Sequence, residues 1–198
     1  MQHQYFLLNK PYGMVSQFIS SHPVRLLGEL DYNFPTGTHA IGRLDHHSEG
    51  LLLLTTNKKV TRLLFQGAIP HGRVYHVLVN NQVTEEQINQ LRKGVQFKIG
   101  LNQYHTTTPC EVSIVNPPMV QFPGSYIQLE RVPHTWLSIE LTEGKFHQVR
   151  KMLTAVQLKC KRLVRVSIEN LYLGDLAPGQ IKEISEIDFF TGLKITHY

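Results

Sequence analysis

Apolar residues gather in short blocks along this chain, and the period within each block sets the element it predicts. Leu51 to Leu54 is apolar at every position, the pattern of a buried strand. Residues 136–141 alternate instead, with Leu137, Ile139 and Leu141 on one face and Ser138 and Glu140 on the other, which predicts a half-buried strand. Further strands are predicted at 5–8, 14–18, 74–79, 95–99, 162–166, Glu111–Val115 and Ile181–Ile184, with a short strand end at His39–Ile41. Three helices are predicted. One spans 58–65 and is ended by Gly67 and Pro70. The second spans 84–91, where Thr84 and Gln87 make a capping box and Ile88 and Leu91 continue one apolar face to Gly94. The third follows Gly144 over 146–156. The Pro-rich stretch 116–133 reads as a loop carrying a short strand at 126–129. Strands with few helices between them predict an α+β fold around a mixed or antiparallel sheet. No repeat, low-complexity tract or linker divides the 198 residues, which are expected to form one domain, 1–198, with room for two lobes.

Charge sharpens this picture. The formal net charge is +5, and its distribution says more than its size. Between Gly144 and Ile168 lie seven basic residues and no acidic one, a local patch that favours nucleic acid over a small anion. Two cysteines, Cys110 and Cys160, are too few and too far apart for a disulfide framework or a zinc ribbon. The N-terminus lacks the pattern of a signal peptide, and nothing approaches the ~18 apolar residues of a membrane span, so a cytoplasmic location is expected. The eleven histidines include the adjacent His46 and His47 and the pair His71 and His76, but no HExxH or Cys/His spacing occurs. LLNKPYG lacks the glycine spacing of a phosphate-binding loop.

The segment HAIGRLDHHSEGLLLLTTN sets Asp45 at a strand-to-turn junction. Gly42 permits a backbone conformation closed to other residues, and Arg43 stands two residues before the acid. Two readings stay open on this segment alone. Asp45 is a candidate active-site anion, and an aspartate at a turn also bonds its own backbone.

Other segments extend the first. LLNKPYGMVSQF (7–18), RVYHVLV (73–79), LTEGKFHQVRKML (141–153) and CKRLVRV (160–166) join GRLD in an order that resembles the RsuA/RluB/RluE/RluF family of RNA pseudouridine synthases. The likeness runs from about Tyr5 to about Gly179, and the segments around NPP (116–118), VPHTWLSIEL (132–141) and KRLVR place it nearest the members acting on large-subunit ribosomal RNA. The resemblance implies a bent, mixed, mainly antiparallel sheet of about eight strands, with flanking helices and a central cleft. It also implies no separate N-terminal S4 RNA-binding domain. Asp45 then becomes the catalytic carboxylate, and Arg150, from HQVR, the guanidinium that holds it through two hydrogen bonds. Tyr75 matches the tyrosine that stacks on the extruded uracil or serves the C5 deprotonation, and Leu163 the apolar residue against the base. Arg43 is the candidate to contact RNA where the base has left its stack, with Lys10, Lys145, Lys151, Arg162 and Arg165 as further RNA contacts. The bland readings are a core tyrosine and leucine, a solvated helix arginine and solvated surface charges. One departure is Arg73, where the family often has lysine, and the two are not equivalent in geometry.

Isomerising uridine breaks the bond from N1 to C1′, turns the base and rejoins it through C5, expelling one proton. The reaction calls for no metal, redox cofactor or nucleotide. The expected partner is ribosomal RNA, with neither a membrane nor a second copy of the chain. Two alternatives compete: a non-catalytic RNA-binding or ribosome-assembly factor, and the same chemistry on transfer RNA or small-subunit ribosomal RNA. Retention of Asp45, Tyr75 and Arg150 together favours the enzyme.

Overall fold

In a computed structural model the described residues are 2–66, 70–116 and 132–198. In chain order the first half comprises β1 (Tyr5–Lys10), β2 (His39–Ile41), β3 (Glu49–Thr55), α1 (Lys59–Gln66), β4 (Arg73–Asn80) and α2 (Glu85–Lys93). The second comprises β5 (Gln96–Gly100), β6 (Gln103–Thr106), β7 (Glu111–Val115), β8 (His134–Leu141), α3 (Gln148–Ala155), β9 (Cys160–Ile168), β10 (Leu171–Tyr172), β11 (Ile181–Ile184) and α4 (Glu186–Gly192). Among the described residues nine strands make one mixed, mainly antiparallel sheet, ordered β11-β1-β3-β9-β4-β8-β7, with β2 beside β3 and β10 beside β9. This is the α+β class that the strand pattern predicts.

β3 is buried along its whole length because apolar groups cover both of its faces. Leu51 and Leu53 join Tyr5 and Leu7 in a core closed by Phe189 and Phe190 of α4 and by Val60 and Leu64 of α1. Leu52 and Leu54 enter a second core with Phe6, Leu8, Met14 and Leu44. A third core fills the other lobe, where Val77 and Val79 of β4 and Leu137 and Ile139 of β8 meet Ile88 and Leu91 of α2 and Met152 and Leu153 of α3. Thr84 caps α2 as its sequence predicts, accepting from Gln87 N at 3.3 Å while Gln87 Oε1 accepts from Thr84 N at 3.1 Å.

The lobes meet at a narrow joint. β3 and β9 run parallel and pair over two positions, Glu49 with Val164 and Gly50 with Arg165. A Cβ at Gly50 would lie 2.3 Å from the Arg165 carbonyl oxygen, and its φ of +96° is one that L side chains rarely adopt, so only glycine fits there. Arg162 on β9 grips Glu49 through Nε and Nη2, each 2.8 Å from a carboxylate oxygen, and Arg165 Nε donates to Leu51 O at 2.8 Å. These charged contacts staple the seam.

Three differences from the sequence-based expectations have identifiable physical causes. Residues 14–18 are not a strand. Met14 forms only an isolated bridge to Arg25, and Ser16 commits its hydroxyl to the backbone of Leu44. β6 pairs only with β5, a separate hairpin whose exposed Tyr104 and Leu101 give no alternation to read. α4 packs two adjacent aromatics, Phe189 and Phe190, so its short sequence shows no long apolar stripe. The expected strand at 126–129, most of the 116–133 loop, and Gly67 lie outside the described residues.

Candidate active site

The loop between β2 and β3 carries Asp45 over the seam, and three parts of the chain hold that loop. Ser16 donates to Leu44 O at 3.0 Å and accepts from Leu44 N at 2.9 Å. Gly13 N donates to His46 O at 2.9 Å. Arg150 of α3 donates from Nη2 to His47 O at 2.7 Å. Within the loop Ser48 N closes on Asp45 O at 3.0 Å. Gly42 opens the turn at φ +71°, where a Cβ would stand 2.7 Å from the Phe65 ring. The result is a carboxylate on a loop whose backbone is fixed on both sides, with its side chain 30% exposed toward a cleft of about 960 Å³.

The cleft floor comes from the sheet. Side chains two apart on a strand share a face. Arg73 and Tyr75 of β4 therefore stand on the same side as each other, as do Leu163 and Arg165 of β9, and all four line the cleft. Tyr75 pairs across the strands with Arg165 and packs against the cores of both lobes. Leu163 is 5% exposed. The wall beside Asp45 is the segment before α3, where His147 Nε2 lies 3.6 Å from Asp45 Oδ1. His147 has the left-handed φ of 55° and stacks on Phe146, with ring centroids 3.8 Å apart. Glu143 anchors this wall, accepting from Gln148 Nε2 at 2.8 Å and from Thr108 N at 3.1 Å, and contacting His105 Nε2 at 2.8 Å.

Of the residues named from sequence, Asp45, Tyr75, Leu163, Arg43, Lys145 and Arg165 line this one cleft. Arg43 and Lys145 are exposed, whereas Arg165 is 4% exposed. Arg150 is brought to the Asp45 loop, but no ion pair joins it to the carboxylate. Its guanidinium ends on the His47 carbonyl, and the cation beside Asp45 is the imidazole of His147 when protonated. Lys10 is corrected as an RNA contact. It is fully buried and its Nζ donates to Pro11 O and Met14 O, so it shapes the 11–14 loop from inside. Burial pushes its ammonium down to about 8, against the opposing pull of Glu49 and Asp45. Arg162 is corrected likewise: 7% exposed, it faces inward to Glu49. Lys151 is half-buried, its Nζ 5.6 Å from the ring centres of both Phe97 and Phe146.

Sequence reasoning missed Ser16, His147 and Arg73 as cleft residues. Ser16 had no signal because its segment reads as a strand. HQVR carries no separate signal for His147, and Arg73 shows only as a departure from the family's lysine. Burial lowers the Arg73 guanidinium, with Arg165 adding to the effect. His47 is lowered by burial and then by His46, Arg150, His147 and Lys10 around it. Both thiols are pushed up to about 11 by burial, which leaves them protonated at neutral pH. Among the described residues no group of three or more His, Cys, Asp or Glu is placed to hold a metal ion. No helix of the described residues is long and apolar enough to cross a membrane.

A family model described as RNA pseudouridylate synthase matches residues 4–155. The chain is 36% identical over 179 residues to the ribosomal large subunit pseudouridine synthase E of Vibrio parahaemolyticus, covering 90% of this chain and 72% of that one. It is 39% identical over 176 residues to the enzyme of the same name from Xanthomonas axonopodis pv. citri, covering 87% and 89%. Its fold resembles a crystal structure of a pseudouridylate synthase, with a TM-score of 0.77 over 96% of this chain and 74% of that one at 23% identity.

Proposed function

The chain belongs to the RNA pseudouridylate synthase family and is an isomerase, and we propose that it converts one specific uridine of 23S, large-subunit, ribosomal RNA to pseudouridine in the cytoplasm, with Asp45 as the catalytic carboxylate. The observation that carries the proposal is that Asp45, on its fixed loop, lines one cleft with Tyr75, Leu163 and Arg165. A flipped uracil fits between such surfaces, and a cleft of about 960 Å³ holds a nucleotide with its flanking backbone.

Extruding the base costs a few kcal/mol, which contacts to the flanking strand offset. Arg43 and Lys145, exposed at the cleft, supply positive charge for that strand. With the base inside, Tyr75 offers a ring face and Leu163 an apolar surface. Asp45 meets C1′, where a carboxylate stabilises developing positive charge or forms a transient bond. The pair of electrons of the N1–C1′ bond leaves with the base, the base turns, C5 joins C1′, the C5 proton departs and N1 regains a proton. Atoms and charge balance without an added reactant. The named relatives act on the large ribosomal subunit by title, and this chain covers 89% of the Xanthomonas protein, which supports the same class of substrate here.

The test maps pseudouridines in total RNA from cells with and without the protein. Loss of one site in large-subunit ribosomal RNA, restored by the wild-type chain, is expected. Loss confined to transfer RNA or the small subunit would reassign the substrate, and an unchanged map would leave a non-catalytic RNA-binding role.

A further inference from the structure

Arg73 and Arg165 place two guanidiniums at the cleft floor with donors left over. Arg165 is 4% exposed and Arg73 8% exposed. Arg165 Nη2 and Arg73 Nε are buried with no hydrogen-bond partner. Neither residue takes part in an ion pair among the described residues. Burying a charge without an ion-pair partner costs several kcal/mol; burial lowers the Arg73 guanidinium and Arg165 adds to this, while Tyr75 and Glu169 pull the other way. Arg162, on the same strand as Arg165, shows the other outcome, since it is equally buried but satisfied by Glu49. Both arginines line the cleft, and their unpartnered nitrogens lie within its floor, covered from solvent.

We propose that Arg73 and Arg165 form an anion cradle for the carbonyl edge of the uracil, taking up the negative charge that the base acquires when its bond to C1′ breaks. The proposal rests on the assignment of this cleft to uridine isomerisation. Position selects the base over a phosphate. The arginines share the sheet face with Tyr75 and Leu163, at the buried floor, while Arg43 and Lys145 stand exposed where backbone phosphates pass. When the N1–C1′ electron pair leaves with the ring, it spreads over O2 and O4 and the detached base is a monoanion. Asp45 balances the positive charge at C1′, and the two guanidiniums balance the ring. When C5 joins C1′ and its proton leaves, N1 is reprotonated and the cradle is again beside a neutral base. Both arginines are then catalytic residues, acting as fixed donors toward a charge that exists only during reaction.

The experiment compares Arg73→Gln and Arg165→Gln with wild type in single-turnover reactions on a ribosomal RNA transcript containing either uridine or 5-fluorouridine at the target. Rupture of the N1–C1′ bond is read in both, since fluorine at C5 leaves no proton to expel and the rejoined fluorinated base stops short of pseudouridine. Fluorine at C5 makes the departing base a weaker base, so it needs less help with its charge. The expected result is a fall of about 10²–10³-fold on uridine for each variant, a clearly smaller fall on 5-fluorouridine, and unchanged RNA affinity. Arg165 also bonds Leu51 O, so thermal unfolding is read for both variants. Arg73→Gln leaves that bond intact and carries the test if Arg165→Gln is unstable. Equal losses on the two substrates would overturn the cradle. So would weakened RNA binding with a flatter salt dependence, which would make these residues phosphate contacts. A wild-type chain that forms no pseudouridine in the uridine transcript would instead remove the uridine reading itself.

Discussion

Arg150 holds His47 by its backbone: the guanidinium Nη2 donates to the His47 carbonyl at 2.7 Å, two residues after Asp45. The arginine therefore reaches the Asp45 loop without pairing with the carboxylate, and its expected role is to fix where Asp45 sits. Arg150→Lys keeps the charge and loses the planar donor that meets this carbonyl. Because small misplacements of a reacting group cost on the order of 10²-fold in rate, single-turnover rate should fall by about that factor with RNA affinity nearly unchanged. Normal rate with weak binding would move Arg150 to the RNA-contacting surface.

The basic segment 145–165 divides by direction. Arg162 is committed to Glu49, a carboxylate only 2% exposed, so Arg162→Gln strips a buried charge of its guanidinium and should cost about 3–5 kcal/mol in denaturant unfolding. Lys145 and Lys159 are exposed. Neutralising both should leave stability within ~0.5 kcal/mol. It should also lower the slope of log affinity against log salt by about 0.7 for each phosphate of single-stranded RNA left without its lysine. An unchanged slope would mean that those two lysines face only solvent.

Much of this architecture was legible in the chain, and the failures have one physical source. Leu51–Leu54 announced a buried strand, and Thr84 with Gln87 announced the start of α2, because burial and capping act within a few residues. GRLD announced its loop through Gly42. The sequence did not reveal which charges turn inward, since that depends on partners far along the chain. Arg162 meets Glu49 across the seam and Arg150 meets His47 rather than Asp45, while Lys10 differs in bonding carbonyls of its own loop and is turned inward by the core that closes over it. Ser16 was hidden for the same reason: its partner, Leu44, is 28 residues away.

Lys10 provides a pH signature. Its ammonium is lowered by burial from 10.5 to about 8. Below pH 8 both folded and unfolded chains carry this proton, and the folded state bears the full cost of the buried charge. Between about 8 and 10.5 the folded chain has lost the proton that the unfolded chain still holds, so this residue's contribution to stability rises with pH, by up to ~1.4 kcal/mol per unit. Lys10→Met should lack that rise, so the difference between wild-type and variant unfolding free energies should grow across this window. A difference that stays constant across the window would show that Lys10 titrates normally in the folded chain.

Asp45 carries the central claim. Asp45→Asn preserves size and shape but not the negative charge that the proposal sets against C1′, and the loop bonds from Ser16, Gly13 and Arg150 do not involve its side chain. The direct measurement is release of tritium from ribosomal RNA labelled at uracil C5, taken from cells lacking this protein, since the C5 hydrogen departs only when the base has been rejoined. Wild type should release it and Asp45→Asn should not, with RNA affinity and thermal stability matching wild type. Sustained tritium release by purified Asp45→Asn, free of host enzyme, would contradict the assignment.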